Sequence, residues 1–217
     1  MKLDLRKELP LMLVVILPFI YLRYIWNTLP AKVAVHWNIQ GEVDRYGDKI
    51  ELLFIAIMLP LLSYLLFLAM PFIDPKKKIK NMGSKYQSIK TLITILMSGL
   101  ALTILYFSKN ESLMNPNYIM LFVGLLFLIL GNYFKTIKAN YFIGIKTPWT
   151  LESETVWKQT HELAGQLWFV GGLILAGSSL ILSKRLVFTV GFLIILIVTL
   201  VPTFYSYFIF QKIKKAE

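Results

Sequence analysis

The chain has 217 residues, of which 57% are hydrophobic and only 16% are charged, and it contains no cysteine. A soluble domain of this length carries more charge, and the lack of cysteine excludes disulfides, thiolate metal sites and a cysteine nucleophile. The formal net charge is +11, but the lysines lie beside apolar runs. That placement favours contact with the anionic headgroups of a lipid bilayer over direct binding of nucleic acid.

Six apolar runs are each long enough to cross a hydrocarbon core as a helix of about 20 residues. They are continuously apolar, which excludes the alternating strands of a membrane barrel. The sequence therefore predicts an all-α polytopic membrane protein with six transmembrane helices, two in residues 1–73 and four in residues 74–217. The predicted spans are Leu9–Leu29, Ile50–Ile73, Ile89–Ser108, Tyr118–Ile137, Leu163–Leu182 and Leu186–Phe210.

The distribution of lysine and arginine between the spans predicts the orientation of the chain. Most of them fall at the two termini, in the loop between the second and third spans, and in the loop between the fourth and fifth. By the positive-inside rule these segments lie in the cytoplasm. The loop from Pro30 to Lys49 then faces outward.

The outward loop is the first candidate for recognition. Its segment Lys32–Trp37 alternates in polarity and predicts a short strand, and its polar side chains could be arranged as a metal site. Their spacing matches no known metal loop, so we predict no bound metal and instead a recognition surface for an extracellular ligand. The candidate residues of that surface are His36, Trp37, Asn38 and Asp44.

Small residues in the later spans predict close helix contacts. Gly124 and Gly131 are seven residues apart and share a face of the fourth span, and Gly172 and Ala176 form a small-xxx-small pair with Gly165 on roughly the same side. Small residues let helix backbones approach closely in membranes. We interpret them as ordinary bundle packing.

The loop between the fourth and fifth spans contains the segment GIKTPWT, from Gly144 to Thr150. Gly144 permits a positive φ or a close approach, and Pro148 excludes the helical conformation from the residue before it. Thr150 is the predicted N-cap of a helix that starts at Leu151. This short amphipathic helix is expected to lie at the membrane interface before it turns into, or continues as, the fifth span. It places Trp157, Thr160, His161, Ala164 and Trp168 along one stripe.

Two interpretations of this loop remain open on physical grounds. The first is an interfacial anchor, in which tryptophan and lysine sit at the headgroup level. The second is a docking or ligand site, because anchoring alone does not explain the clustering of glycine, proline and two threonines. The candidate residues of the second interpretation are Lys146, Thr147, Pro148, Trp149, Thr150, Trp157, His161 and, near the end of the fourth span, Asn132.

Signals for catalysis are poor. The sequence from His161 to Gly165 begins like a zinc-binding HExxH motif but lacks its second histidine. There is no phosphate-binding loop, no nucleophile elbow and no pair of intramembrane aspartates. The predicted spans also have no acidic residue in mid-membrane, where a residue that couples ions to transport usually lies. We predict a protein that is not an enzyme and needs no cofactor.

The motif residues resemble the SdpI family of bacterial immunity proteins, whose signature is G-x-[RK]-T-P-W-T with a further tryptophan seven residues on. Lysine at position 146 is a mild departure, because arginine is commoner there. Upstream, a Leu-Pro pair, the HWN triplet, Gly41 and Asp44 are similar to a domain of unknown function that often precedes the signature. The matching signature residues are Gly144, Lys146, Thr147, Pro148, Trp149, Thr150 and Trp157.

The resemblance implies a function that composition does not. It implies a plasma-membrane protein that protects its cell from a toxic peptide on the outer side, and that sequesters a cytoplasmic transcriptional repressor at the membrane. Our first hypothesis is this immunity and signalling role. The alternative is a transporter or exporter of a small or peptidic substrate, and an intramembrane enzyme is the least favoured. The oligomeric state is left open.

Overall fold

The computed structural model describes residues 5–40, 42–75, 77–110 and 115–215. The chain is 78% helical, and six helical segments are long and apolar enough to cross a membrane. The predicted fold class and number of spans are confirmed. These spans are Leu5–Thr28, Ile50–Ile73, Ser84–Lys109, Asn117–Phe134, Glu154–Ile181 and Lys184–Lys214.

The described residues form eight α-helices: seven of them make up the spans, and the eighth is a short helix before the fifth span. A small β-hairpin joins the first two spans at one end. The second span is interrupted by a π-helical turn, Ile57–Leu62, that contains Pro60. The elements are α1 (Leu5–Ile25), β1 (Lys32–Trp37), β2 (Val43–Asp48), α2 (Ile50–Ala56), α3 (Ser63–Ile73), α4 (Ser84–Lys109), α5 (Asn117–Phe134), α6 (Pro148–Glu152), α7 (Glu154–Ile181) and α8 (Lys184–Lys214).

Large apolar side chains cover the outside of the bundle. Ile20 is 59% exposed, Phe192 is 62% exposed and Phe204 is 60% exposed. A water-soluble monomer does not expose a continuous apolar surface of this size. The helices therefore present these side chains to lipid, and the chain is a multi-pass membrane protein.

Six successive spans place the start of α1 and the end of α8 at the same end of the bundle, which we call the terminal end. The opposite end is the hairpin end. Strands β1 and β2 pair antiparallel, and the buried Val33 packs against Leu22, Ile25 and Leu105. The strand predicted at Lys32–Trp37 is confirmed, and the hairpin closes the bundle at this end.

Helices α5 and α7 approach closely along the predicted small residues. A Cβ atom on Gly131 would lie 2.4 Å from the backbone nitrogen of Phe169, and one on Gly124 would lie 2.7 Å from that of Ala176. Larger side chains would separate the two helices. This contact sets the relative position of α5 and α7, between which the loop from α5 to α6 lies.

Candidate functional site

Asn140 organises the loop that leads from α5 to α6. Its side-chain oxygen accepts hydrogen bonds from the backbone N–H groups of Phe142 and Ile143, both at 2.8 Å. Its amide nitrogen donates to the carbonyl groups of Lys138 and Ile143. Asn140 is only 1% exposed. Sequence reasoning missed this residue, although asparagine in a turn is a known signal for side-chain bonding to the local backbone.

Gly144 lies where the loop crosses α7. Its φ is +122°, and a Cβ atom there would lie 2.4 Å from Nε2 of His161 and 3.0 Å from the ring of Trp157. The position requires glycine for its backbone conformation and for the close approach. The positive φ and the close approach that were predicted as alternatives for Gly144 are therefore both present.

His161 of α7 fixes the position of the loop and is 1% exposed. Its Nε2 atom accepts a hydrogen bond of 3.0 Å from the backbone N–H of Ile145. Because a carbonyl group can only accept, its Nδ1–H donates to the carbonyl oxygen of Trp157 at 2.8 Å. Both ring nitrogens are thus engaged in a neutral imidazole. Neither is free to bind a metal or to transfer a proton.

Trp157 completes the support of the loop. Its ring stacks on His161 with centroids 4.0 Å apart and planes 16° apart. Its indole N–H donates to the carbonyl oxygen of Ile137 at 2.7 Å. Trp157 is 3% exposed, so this second tryptophan of the motif joins the loop to α7 and is not a surface residue.

Two threonines start helix α6, and the N-cap is Thr147, not the predicted Thr150. Pro148 at the first helical position forces Thr147 into an extended conformation, with φ −112° and ψ 160°. Its hydroxyl then accepts from the N–H of Thr150, and the hydroxyl of Thr150 accepts from the N–H of Thr147 at 2.9 Å. This reciprocal capping satisfies two backbone donors at the helix start.

The helix that carries the predicted stripe continues as the fifth span, and a break in helical structure separates it from α6. Ser153 has an extended backbone and its hydroxyl accepts from the N–H of Val156. The short helix before the fifth span is therefore present, but it ends at Glu152. The buried stripe of Trp157, Thr160 and His161 belongs to the first turns of α7 itself.

Trp149 attaches α6 to the last span. Its indole N–H donates to the hydroxyl of Ser206, 57 residues away in the chain. Its ring also packs edge-on against Tyr207, with centroids 5.4 Å apart. We call the loop and its supports, residues 137–161 with Ser206 and Tyr207, the clamp. It ties α5, α7 and α8 together at the terminal end.

The remaining predicted residues of this site are exposed. The ammonium group of Lys146 donates to the carbonyl oxygens of Tyr141 and Phe142, both at 3.2 Å, and Pro148 faces outward. Asn132 is not brought into the clamp. It is exposed on α5 and lines a separate groove with Glu162 and Gln166.

A basic cleft of about 820 Å³ opens beside the clamp. The side chains of Trp157 and His161 form part of its wall. Four lysines surround it, and one of them, Lys78, forms an ion pair of 2.8 Å with Glu154. We call it the lysine cleft, and its lysines are Lys78, Lys135, Lys138 and Lys158.

A buried ion pair lies elsewhere at the terminal end and was missed by sequence reasoning. Lys90 of α4 donates to the carboxylate of Glu8 in α1, which also accepts from the hydroxyl of Tyr64 at 2.9 Å. Glu8 is 4% exposed and Lys90 is 1% exposed. The predicted first span, Leu9–Leu29, left Glu8 outside, whereas α1 begins at Leu5 and includes Glu8 in its first turn.

The predicted recognition residues of the outer loop lie on the hairpin. His36 donates from Nδ1 to the carboxylate of Asp44 at 2.6 Å, and both are exposed. Asn38 holds the turn by accepting from the N–H groups of Gln40 and Glu42. The indole N–H of Trp37 is buried and has no partner among the residues that the structure describes.

At the hairpin end, Gly41, which is part of the upstream resemblance, lies outside the described residues. Within the described ranges, no group of three His, Cys, Asp or Glu side chains could hold a metal. A cleft of about 420 Å³ at the junction of the first two spans is lined by Phe19, Leu22, Arg23, Trp26, Asn27 and Leu53.

Comparison with known families gives two matches, which cover separate parts of the chain. Residues 136–206 match the model of the SdpI/YfhL protein family, and residues 13–59 match a domain of unknown function, DUF1648. No curated protein and no solved structure matches the chain. The first match covers the clamp except for Tyr207, and the second covers the hairpin. The resemblance predicted from the motif is confirmed: the chain is a multi-pass membrane protein whose residues 136–206 are similar to the SdpI/YfhL protein family, with a region similar to DUF1648 before them.

Proposed function

We propose that the chain is a plasma-membrane immunity and signalling protein that protects its cell against a toxic peptide and sequesters a cytoplasmic transcriptional repressor. In this proposal the terminal end faces the cytoplasm, because lysines concentrate in the segments at that end. The hairpin end then faces outward and meets the peptide. The repressor docks on the exposed part of the clamp.

The proposal depends on one observation, the division of the motif into buried and exposed side chains. Thr150 is fully buried, and His161 and Trp157 are almost fully buried. They hold the loop in one conformation while Lys146 and Pro148 remain on its surface. A loop fixed by its own buried contacts loses little conformational entropy on binding, which suits it to recognise a partner. The engaged ring nitrogens of His161 favour binding over catalysis.

The cleft at the hairpin end supports capture of a peptide. It combines the apolar Phe19 and Leu22 with the charge of Arg23 and the amide of Asn27. Such a mixed wall suits an amphipathic peptide that arrives at the membrane surface, because its apolar side chains leave water while its polar groups stay paired. The cleft lies at the opposite end of the bundle from the clamp, so peptide and repressor would bind to separate sites.

Expression in a toxin-sensitive bacterium tests this function. Lys146→Ala should abolish protection and leave a fluorescently tagged repressor in the soluble fraction, while the protein still inserts in the membrane. Lys146→Arg should keep both activities, since it preserves the charge. Lys212→Ala, which removes an exposed lysine of α8 at the same end, is the matched control. Wild-type protection and recruitment in Lys146→Ala would refute a docking role for the clamp.

The buried pair of Glu8 and Lys90 favours a second candidate function, transport of a small or peptidic substrate. Ionisable side chains within a span commonly mark a substrate or ion path. Efflux measured in vesicles that contain the purified protein distinguishes the two functions. Transport by the wild type that is lost in Glu8→Gln would support the transporter, and absence of any transport with intact protection would support the receptor.

A further inference from the structure

Two concave surfaces at the terminal end are continuous. The lysine cleft, of about 820 Å³, and a groove of about 440 Å³ between α5 and α7 share Lys135 and Glu162 in their walls. The groove continues along the bundle to Phe169, which is 40% exposed on the outer surface of α7. A single molecule could therefore occupy the polar cleft with one part and the membrane-facing groove with another.

The cleft carries an excess of positive charge. Lys78 is paired with Glu154, but the ammonium groups of Lys135, Lys138 and Lys158 make no hydrogen bond or ion pair with any residue that the structure describes. Glu162, at the junction of cleft and groove, offsets part of this charge. The first turn of α7 also lines the cleft and adds the positive end of a long helix dipole. An anionic group is the complementary ligand.

The position of the lysines relative to the membrane favours an anionic ligand that also has a hydrocarbon chain. Lys135 follows directly after the last residue of α5, at the level where the span meets the headgroups. Beside it, the backbones of α5 and α7 pack directly against each other at Gly131 and Gly165, and the groove runs along the outside of this contact to the exposed Phe169. A hydrocarbon chain can lie along this membrane-facing groove, whereas a soluble acidic peptide would have no reason to enter it.

We propose that the lysine cleft and the α5–α7 groove together bind one anionic phospholipid. Its phosphate contacts Lys135, Lys138 and Lys158, and one acyl chain follows the groove to Phe169. The ligand class is defined by a phosphate diester joined to a hydrocarbon chain. This site is separate from the docking surface at Lys146, and lipid binding does not require that the chain act in immunity.

Native mass spectrometry of the detergent-purified protein tests the proposal directly. Phosphatidylglycerol and phosphatidylcholine are added in parallel, and the fraction of protein that retains one lipid is measured. We expect phosphatidylglycerol to bind about tenfold or more tightly, because each lysine near an anionic lipid adds on the order of a fewfold in affinity. Equal retention of the two lipids would overturn the proposal.

Matched variants locate the site. The triple variant Lys135→Gln, Lys138→Gln, Lys158→Gln should lose the preference for phosphatidylglycerol. The control Lys85→Gln, Lys212→Gln, Lys214→Gln removes the same charge from exposed lysines at the same end and should keep it. Gln166→Trp should lower retention of either lipid, since the indole fills the groove. Equal effects of the two triple variants would show only a general surface attraction and overturn the proposal.

Competition separates the possible sources of the phosphate. Inorganic phosphate at millimolar concentration should fail to displace phosphatidylglycerol, because it lacks the acyl chain that occupies the groove. Displacement by inorganic phosphate alone would assign the cleft to a free anion. Displacement by a soluble acidic peptide, without any preference between the two lipids, would assign it to a protein partner. Either result would refute a lipid site.

Discussion

Lys90 in α4 and Glu8 in α1 form an ion pair within the membrane bundle although 82 residues separate them in the chain. The hydroxyl of Tyr64 in α3 donates a hydrogen bond to Glu8. The ammonium group of Lys90 lies 5.9 Å from the centre of the Tyr64 ring. Three helices are thus linked by one polar cluster. The link connects the helix that enters the DUF1648 region to the helices that lead to the SdpI/YfhL region.

Removing one partner of this pair should destabilise the protein more than removing both. Glu8→Gln or Lys90→Met leaves an unpaired buried charge, which costs about 3–5 kcal/mol. The double variant leaves no charge and should recover much of that loss. Thermal unfolding in detergent, followed by tryptophan fluorescence, measures the difference. Single variants no less stable than the double variant would show that the pair contributes no coupling.

Gly144→Ala should destabilise the clamp by about 1–3 kcal/mol, because the new methyl group meets the ring of His161 and the positive φ strains the backbone. Gly177→Ala is the matched control in α7, since a Cβ atom there has no neighbour within 4 Å. That change should be neutral or stabilise by about 0.5–1 kcal/mol. Unfolding temperature and proteolysis of the loop check both variants, and equal stability of the two would contradict the close contact.

A double-mutant cycle on Trp149 and Ser206 should reveal the attachment of α6 to α8. Trp149→Phe removes the indole donor and Ser206→Ala removes its acceptor, so each single change leaves a polar group without its partner. The coupling energy should be about 0.5–1.5 kcal/mol. Equilibrium unfolding of the four proteins in detergent gives the value. Additive effects of the two changes would mean that the hydrogen bond contributes nothing to stability.

His161→Phe should release the loop without preventing insertion. The backbone N–H of Ile145 would lose its acceptor, and an unsatisfied buried donor costs about 1–3 kcal/mol. Hydrogen exchange in residues 141–147, measured by mass spectrometry, should become faster. His36→Phe at the hairpin end is the matched control and should leave exchange in this segment unchanged. Unchanged exchange in His161→Phe would show that His161 does not hold the loop.

The spans could be predicted from the sequence because length and hydropathy are local properties. Glu8 could not be placed, because it lies beside charged residues and Pro10 at a helix end, and its partner is 82 residues away. The choice between Thr147 and Thr150 as the N-cap also depends on neighbouring residues alone. Both are good caps, and the preference of Pro148 for the first helical turn decides it. Strand β2 is polar and lacks an apolar alternation, so only its pairing with β1 reveals it.

In the candidate site, too, local features could be predicted from the sequence and contacts between distant segments could not. The motif predicted that Gly144 has a special conformation, but it gave no sign that His161 is its contact. Trp149 and Ser206 meet only because α6 and α8 converge at the terminal end. The lysine cleft draws its charges from three separate segments of the chain. Contacts between distant segments depend on the packing of the bundle, which a local pattern does not encode.

The hairpin offers a test of the predicted outer recognition surface that is independent of the clamp. His36 and Asp44 form an exposed hydrogen-bonded pair, and exposed polar pairs contribute only about 0–1 kcal/mol to stability. His36→Ala should therefore leave the unfolding temperature nearly unchanged but lower protection against the toxic peptide. Lys32→Ala is the matched control, because Lys32 forms a similar exposed pair with Asp48 on the same hairpin. Equal protection in the two variants would exclude His36 from recognition, and a large loss of stability in His36→Ala would assign it a structural role instead.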